Sequence, residues 1–251
     1  MPSILVELGF ARDLHVGEHP PQYDIGAGGF RVAGKTLVQD PARAAKVLEH
    51  AVRDLGFKGG YIGTNVNGTY YGTTDFDPFW AKVQELDVPI FMHPDNAKNI
   101  DTGGVLQRGD LGGLIGNPLE TTEFLTRLIF DGTLDRFPGV KVCAAHGGGY
   151  LPSYLGRTEV TCSRRDDDER CAKKLPSEYL RTQILADSMV FSEEGLRHLV
   201  AEMGASQVVY GTDIPFHWPD TLDLILNASF LNDQEKEAIV GGNLIRLLRI
   251  T

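Results

Sequence analysis

The chain has 251 residues, 42% of them hydrophobic and 23% charged, ordinary proportions for a globular protein and enough for one substantial core. Its net charge of -10, from 24 basic and 34 acidic residues, excludes the basic footprint of a nucleic-acid-binding protein. No apolar run reaches the length of a membrane span, and Cys143, Cys162 and Cys171 have neither the even number of a disulfide framework nor the CxxC spacing of a zinc knuckle. The expected setting is therefore cytoplasmic, with reduced thiols.

In chain order, residues 1–29 read as an irregular N-terminal segment and residues 30–251 as one domain. Phe30 to Val38 is the first candidate strand. Asp40-Pro41 supplies an N-cap followed by proline at the first helical position, and Ala44, Val47, Leu48, Ala51, Val52 and Leu55 then recur at helical spacing. Strands are expected at Phe57 to Gly63 and Val88 to Met92, with Trp80 as a core residue of a helix between them. Asn96 to Gly116 is glycine-rich and without periodicity, as either a loop over a site or a plain surface excursion would be. Asn117-Pro118 opens a second helix, whose buried stripe is Phe124, Leu125, Leu128 and Ile129. A strand at Val140 to Ala145 comes next, and the mixed-sign run Arg164 to Arg170 reads as a solvated face or loop. Gln183 to Ser188 is a strand, Leu196, Leu199, Val200 and Met203 mark a helix, and Gln207 to Gly211 is the last strand. Strands alternating with helical crossovers imply a parallel sheet of right-handed βαβ units. Six strands are two short of a closed eight-stranded barrel.

Three apolar strands each run into a polar residue: His93, His146 and Asp213. Any one of them alone is explained equally well as a strand cap that hydrogen-bonds a turn. If the strands are parallel, however, all three emerge at the C-terminal edge, where α/β barrels place catalytic groups. Two imidazoles and a carboxylate suit zinc or a comparable divalent ion, whereas calcium takes more oxygen ligands. That donor set points to a mononuclear metal hydrolase or lyase. Gly147 to Gly149 let the backbone pass close to a substrate, or simply make a tight turn. His50 and His198 fall within helix patterns and read as surface or packing residues, as His217 does by default, although next to Phe216 it could reach the mouth of the site with Trp218 on the same rim.

"VPIFMHP", "LIGNPLETT", "RFPGVKVCAAHGGGYLPSYLGR", "VVYGTDIPF" and "GGNLIRLL" occur in this order from about Phe30 to Ile250. Together they resemble the amidohydrolase-related family typified by aminocarboxymuconate-semialdehyde decarboxylase. The resemblance implies a metal-dependent (β/α)8 TIM barrel. It also implies non-oxidative decarboxylation of aromatic or unsaturated carboxylic acids, with hydrolysis of a lactone, ester or carbon-carbon bond as the alternative. On this resemblance His93 is a metal ligand, and Asp213 is both a metal ligand and a base. His146 is the acid/base group beside the metal. Arg157 reaches a substrate carboxylate, in some members across a subunit boundary, and Phe216 packs on the substrate ring. A homodimer is expected. Taken by itself, Arg157 offers a planar fork matched to a carboxylate, and its plainer explanation is a surface ion pair with Glu159.

The family pattern also includes a His-x-His pair ending the first strand, and this chain contains no such pair. His15 and His19 are the only upstream histidines, with Gly17, Pro20 and Pro21 spoiling a helix that would align them. The expectation is a barrel that lacks its first two strands, holding its metal weakly or not at all. A non-catalytic binding barrel or an inactive fragment is the remaining alternative.

Overall fold

The computed structural model describes residues 40–250 apart from 96, 98, 99, 102, 108, 165–171, 215 and 217. The candidate strand Phe30 to Val38, the pair His15 and His19, and His217 lie outside the described residues. The strands are β1 Gly60–Ile62, β2 Asn65–Val66, β3 Thr69–Tyr70, β4 Ile90–Met92, β5 Val142–Ala144, β6 Ile184–Asp187 and β7 Val208–Val209. The helices are α1 Pro41–Arg53, α2 Asp77–Leu86, α3 Asn117–Phe130, α4 Thr133–Arg136, α5 Leu155–Ser163, α6 Pro176–Leu180, α7 Glu193–Met203, α8 Leu222–Leu226, α9 Asp233–Glu237 and α10 Asn243–Leu248.

One sheet takes the order β1-β4-β5-β6-β7, every strand parallel to its neighbour. Each of these strands pairs with the sheet strand next along the chain and is reached through helical segments. This is the order of a (β/α)8 barrel, five strands of which fall among the described residues. Period-two alternation sorts their side chains. Ile90, Met92, Val142, Ala144, Ile184, Ala186 and Val208 pack on the helices in the main core, against Leu48, Val83, Phe124, Leu128 and Leu199. Phe91, Cys143, Leu185 and Val209 share the opposite face with Leu244, Leu248 and Ile250. Burying each large apolar side chain is worth about 1.5–3 kcal/mol, so the alternation itself fixes the register.

Local signals set the helix ends. The Asp40 carboxylate accepts from Arg43 N at 3.0 Å and starts α1, with Pro41 in its first turn. Ser192 caps α7 through Gly195 N, and the chain leaves that helix at Gly204 with φ 86. Asn117 does not cap α3. A π-helical turn, Gly112–Gly116, runs straight into it, and Asn117 already has helical backbone, whereas a capping residue needs an extended one. A hairpin over residues 65–70 turns at Asn67 and Gly68, φ 50 and 83, with Asn65 Oδ1 accepting from Gly68 N.

Cys143 is a free, buried thiol in β5, but Cys162 is disulfide-bonded. This corrects the expectation of reduced thiols throughout: an odd count leaves one cysteine over without forbidding a bridge. The redox argument for a cytoplasmic setting loses its premise. No helix among the described residues is long and apolar enough to cross a membrane.

Candidate metal centre

His93 follows β4 directly, and its backbone N–H extends the ladder by bonding Ile62 O at 3.2 Å. Its ring Nδ1 lies 2.7 Å from Pro94 O. A carbonyl can only accept, so Nδ1 carries the proton and the Nε2 lone pair points away from the backbone. That Nε2 is 3.3 Å from Asp213 Oδ1, and His146 Nε2 is 3.6 Å from Asp213 Oδ2. The two imidazole rings meet edge-on, centroids 4.9 Å apart. One donor atom from each of His93, His146 and Asp213 falls within 4.8 Å of the others.

The three expected residues are thus brought together at one end of the sheet. His93 and Asp213 are buried and His146 is half-buried, with its Nδ1 buried and unbonded among the described residues. Burial pushes the Asp213 carboxyl upward, but hydrogen bonding and charge from His146 and His93 outweigh it and hold the group at about 2. A lone pair at His93 Nε2 facing an ionised carboxylate is unfavourable unless a cation lies between them or the ring is protonated. The donor set therefore fits a divalent metal, with the His93 tautomer already fixed for ligation.

Phe216 is half-buried beside the centre. Its ring lies nearly parallel to that of His93, 7° apart in plane with centroids 6.3 Å apart, and its N–H bonds Asp213 O. Arg157 is on the exposed side of α5 and forms no ion pair with any described residue, Glu159 included. Trp218 is exposed and leans on Phe191 at 5.6 Å, an aromatic pair after β6 and β7. Trp80 is fully buried, and His50 and His198 are exposed.

The glycines after His146 serve packing within the protein. Gly147, Gly148 and Gly149 all have positive φ. A Cβ at Gly149 would stand 2.3 Å from Pro118 O, and one at Gly147 would stand 2.7 Å from Val190 Cγ1. These close approaches are to α3 and to the loop after β6, so the turn reading holds.

Two buried carboxylates carry no clear signature in the sequence. Asp187 ends β6, and its carboxylate accepts from the N–H groups of His146 (2.9 Å), Gly147 (2.8 Å) and Met189 (3.1 Å). Burial pushes its carboxyl up, against the lowering effect of His146 and these three N–H groups. Glu120, in the first turn of α3, accepts from Thr64 Oγ1, Asn65 Nδ2, Asp95 N and Ala97 N, which ties the loop after His93 to the end of β1. For Asp187 a weak signal exists, since the run Ile184 to Ala186 ends on a polar residue as the other three do. Glu120 gives none beyond its helical position.

The sequence profile of the amidohydrolase family, described simply as amidohydrolase, matches residues 22–250. This chain belongs to the amidohydrolase family. Among its relatives is the 2-amino-3-carboxymuconate-6-semialdehyde decarboxylase of Dictyostelium discoideum, 32% identical over 218 residues, covering 86% of this chain and 60% of that protein. The gamma-resorcylate decarboxylase of Polaromonas is 29% identical, covering 88% of this chain and 71% of its own. A crystal structure of the 5-carboxyvanillate decarboxylase from Novosphingobium aromaticivorans, with bound manganese and a nitrobenzoic acid, superposes with a TM-score of 0.79 at 27% identity. That match covers 86% of this chain and 64% of the other. This amidohydrolase-family chain thus spans about three fifths of the length of the Dictyostelium relative.

Proposed function

We propose that this amidohydrolase-family site performs metal-dependent, non-oxidative decarboxylation of a small aromatic or unsaturated carboxylic acid. The observation behind this reading is the convergence of two imidazole Nε2 atoms, from His93 and His146, on the one buried carboxylate of Asp213. Similarity to three decarboxylases favours a lyase over a hydrolase of a lactone, ester or carbon-carbon bond, and over a non-catalytic barrel.

His93 Nε2 and Asp213 hold the cation in this proposal. The nitrogen and oxygen donors suit zinc, the ion expected from the sequence, and equally manganese, which the carboxyvanillate relative binds. Such an ion polarises a bound carboxylate as a Lewis acid. His146 delivers a proton to the carbon bearing the substrate carboxylate, the carbon-carbon bond breaks, and carbon dioxide leaves. Phe216, parallel to the His93 ring, packs on the substrate ring. Arg157, exposed and without an ion-pair partner among the described residues, serves the site of a second copy in a homodimer, where its planar fork grips a carboxylate. Residues 30–251 act as one barrel domain.

The test is carbon dioxide release from gamma-resorcylate and from 5-carboxyvanillate by the purified protein with added manganese or zinc. His146→Ala should retain the metal and lower turnover by about a hundredfold or more, the usual effect of removing a positioned acid/base group. A hydrolysis product, or no product with either acid, overturns the reading.

A further inference from the structure

After β5 the backbone passes through four consecutive residues of positive φ, His146 (φ 59), Gly147 (φ 61), Gly148 (φ 75) and Gly149 (φ 66). Three are glycines, which adopt this conformation freely. His146 has a Cβ, and the left-handed region costs such a residue about 1–2 kcal/mol. Strain of this kind persists only where surrounding contacts impose it. Successive N–H groups in such a turn converge on one side and form a concavity that takes an anion. Here the anion is part of the protein: the N–H of His146 meets Asp187 Oδ2 at 2.9 Å, and the N–H of Gly147 meets Oδ1 at 2.8 Å.

Asp187 is itself held on every side. Oδ1 also accepts from Met189 N at 3.1 Å, which fixes the carboxylate to the end of its own strand. From β7 the chain approaches so closely at Gly211 that a Cβ there would stand 2.9 Å from Asp187 Cβ. The carboxylate therefore hydrogen-bonds the ends of β5 and β6, the strands that lead to His146 and to Asp187 itself, while the Asp187 side chain packs on Gly211 at the end of β7, the strand that leads to Asp213.

We propose that Asp187 is a positioning residue for the reaction: by filling the concavity of the His146 turn it holds His146 in its left-handed conformation, with ring Nε2 facing Asp213. The proposal deepens, and rests on, the reading of His146 as the proton-handling group. A neutral side chain of the same shape cannot replace it. In Asp187→Asn one oxygen can still accept from Gly147 and Met189, but the new NH2 group faces the His146 N–H, donor against donor.

The experiment is amide hydrogen exchange and histidine-ring NMR on the full chain, with and without Asp187→Asn. In the wild type, the His146 and Gly147 amides should exchange as slowly as the strand amides of Cys143, although they lie in a turn. In Asp187→Asn the His146 amide should exchange at least about tenfold faster, as expected for losing a hydrogen bond to a charged acceptor, and the Gly147 amide by a smaller factor because its acceptor stays but loses its charge, while Cys143 and Phe91 stay protected. The His146 ring resonances should move and those of His93 should not. Where carbon dioxide release is measurable, kcat should fall at least about tenfold with KM and metal content unchanged. Fast exchange at His146 in the wild type overturns the proposal, as do unmoved His146 ring resonances in the variant. Absence of decarboxylation by the wild type sinks the proposed function instead and leaves the exchange experiment to decide on Asp187.

Discussion

His146 and Asp213 face each other from two left-handed backbone positions, φ 59 and φ 52, with Nε2 and Oδ2 3.6 Å apart. A residue that simply continues a strand projects perpendicular to the sheet. The positive φ turns both side chains out of that direction and towards each other above the strand ends. Both residue types are among the non-glycines that visit this region, each at some cost in backbone strain. Strained residues at the mouth of a parallel sheet are characteristic of a working site.

Asp213 is the shared partner of both imidazoles, so its removal should affect metal binding more than any other change. Asp213→Ala should weaken manganese or zinc binding by more than the roughly 10–100-fold typical of residues that only orient a ligand. Competition with a chelator measures this directly. His146→Ala should fall short of that loss. Equal effects from the two variants would make His146 a ligand of the same rank.

The depressed Asp213 carboxyl gives a pH dependence of definite sign. Burial raises it, but His146 and His93 together bring it from 3.8 to about 2. A carboxyl lowered on folding adds stability that is complete above its unfolded value and disappears as pH falls through its folded one. The metal-free protein should therefore lose thermal stability more steeply than Asp213→Asn between about pH 4 and pH 2. Asp187 works with the opposite sign. Its raised carboxyl favours the folded state at the acid end, a contribution lost as pH rises through its folded value. Parallel stability curves for wild type and Asp213→Asn between those limits would contradict the assignment.

Glu120 joins three segments through four hydrogen bonds, two of them to the backbone N–H groups of Asp95 and Ala97. Glu120→Ala leaves these donors without their acceptor and should cost at least about 3 kcal/mol. Glu120→Gln keeps one acceptor oxygen and should cost less. Urea unfolding measures both, the midpoint shifting with little change in slope. A loss within about 0.5 kcal/mol, the range of an ordinary surface substitution, would remove Glu120 from this role.

The sheet strands and the three site residues are legible in the sequence because they rest on short-range pattern. Val88 to Met92 and Val140 to Ala145 are apolar runs bounded by turn residues, and His93 and His146 follow them directly. The structure trims each strand to three residues without moving it. Asp40 is readable as a cap because its partner, Arg43 N, is three residues away. What stays hidden depends on contacts between distant segments. Asp187 receives the N–H of His146 from 41 positions upstream, and Glu120 reaches Thr64 across 56. Only the apolar run that ends on Asp187 hints at its place, and nothing local distinguishes Glu120 from a solvated acid. Asn117 misleads because Asn-Pro looks the same in a true cap and inside a helix already under way. Asn67-Gly68 does announce its hairpin turn, but strands of two residues leave no alternation to confirm it.

Gly149 and Gly56 both have positive φ, 66 and 73, but differ in what surrounds them, and Gly149 adds ψ -136, a conformation that glycine alone adopts freely. Around Gly56 nothing lies within 4 Å of the position a Cβ would take, so Gly56→Ala should cost only the conformational term, about 1–2 kcal/mol. At Gly149 the same methyl group would stand 2.3 Å from Pro118 O and 2.7 Å from Thr122 Oγ1. The first is backbone of α3 and the second already accepts from Tyr150 N, so neither can withdraw cheaply. Gly149→Ala should exceed Gly56→Ala by at least about 1–3 kcal/mol, the usual cost of overpacking a filled site. Because the displaced turn also carries His146, it should lower metal-dependent turnover, whereas Gly56→Ala should not. Chemical denaturation of the two variants side by side gives the comparison. Equal losses would mean that α3 yields at this contact and that the methyl group is accommodated there.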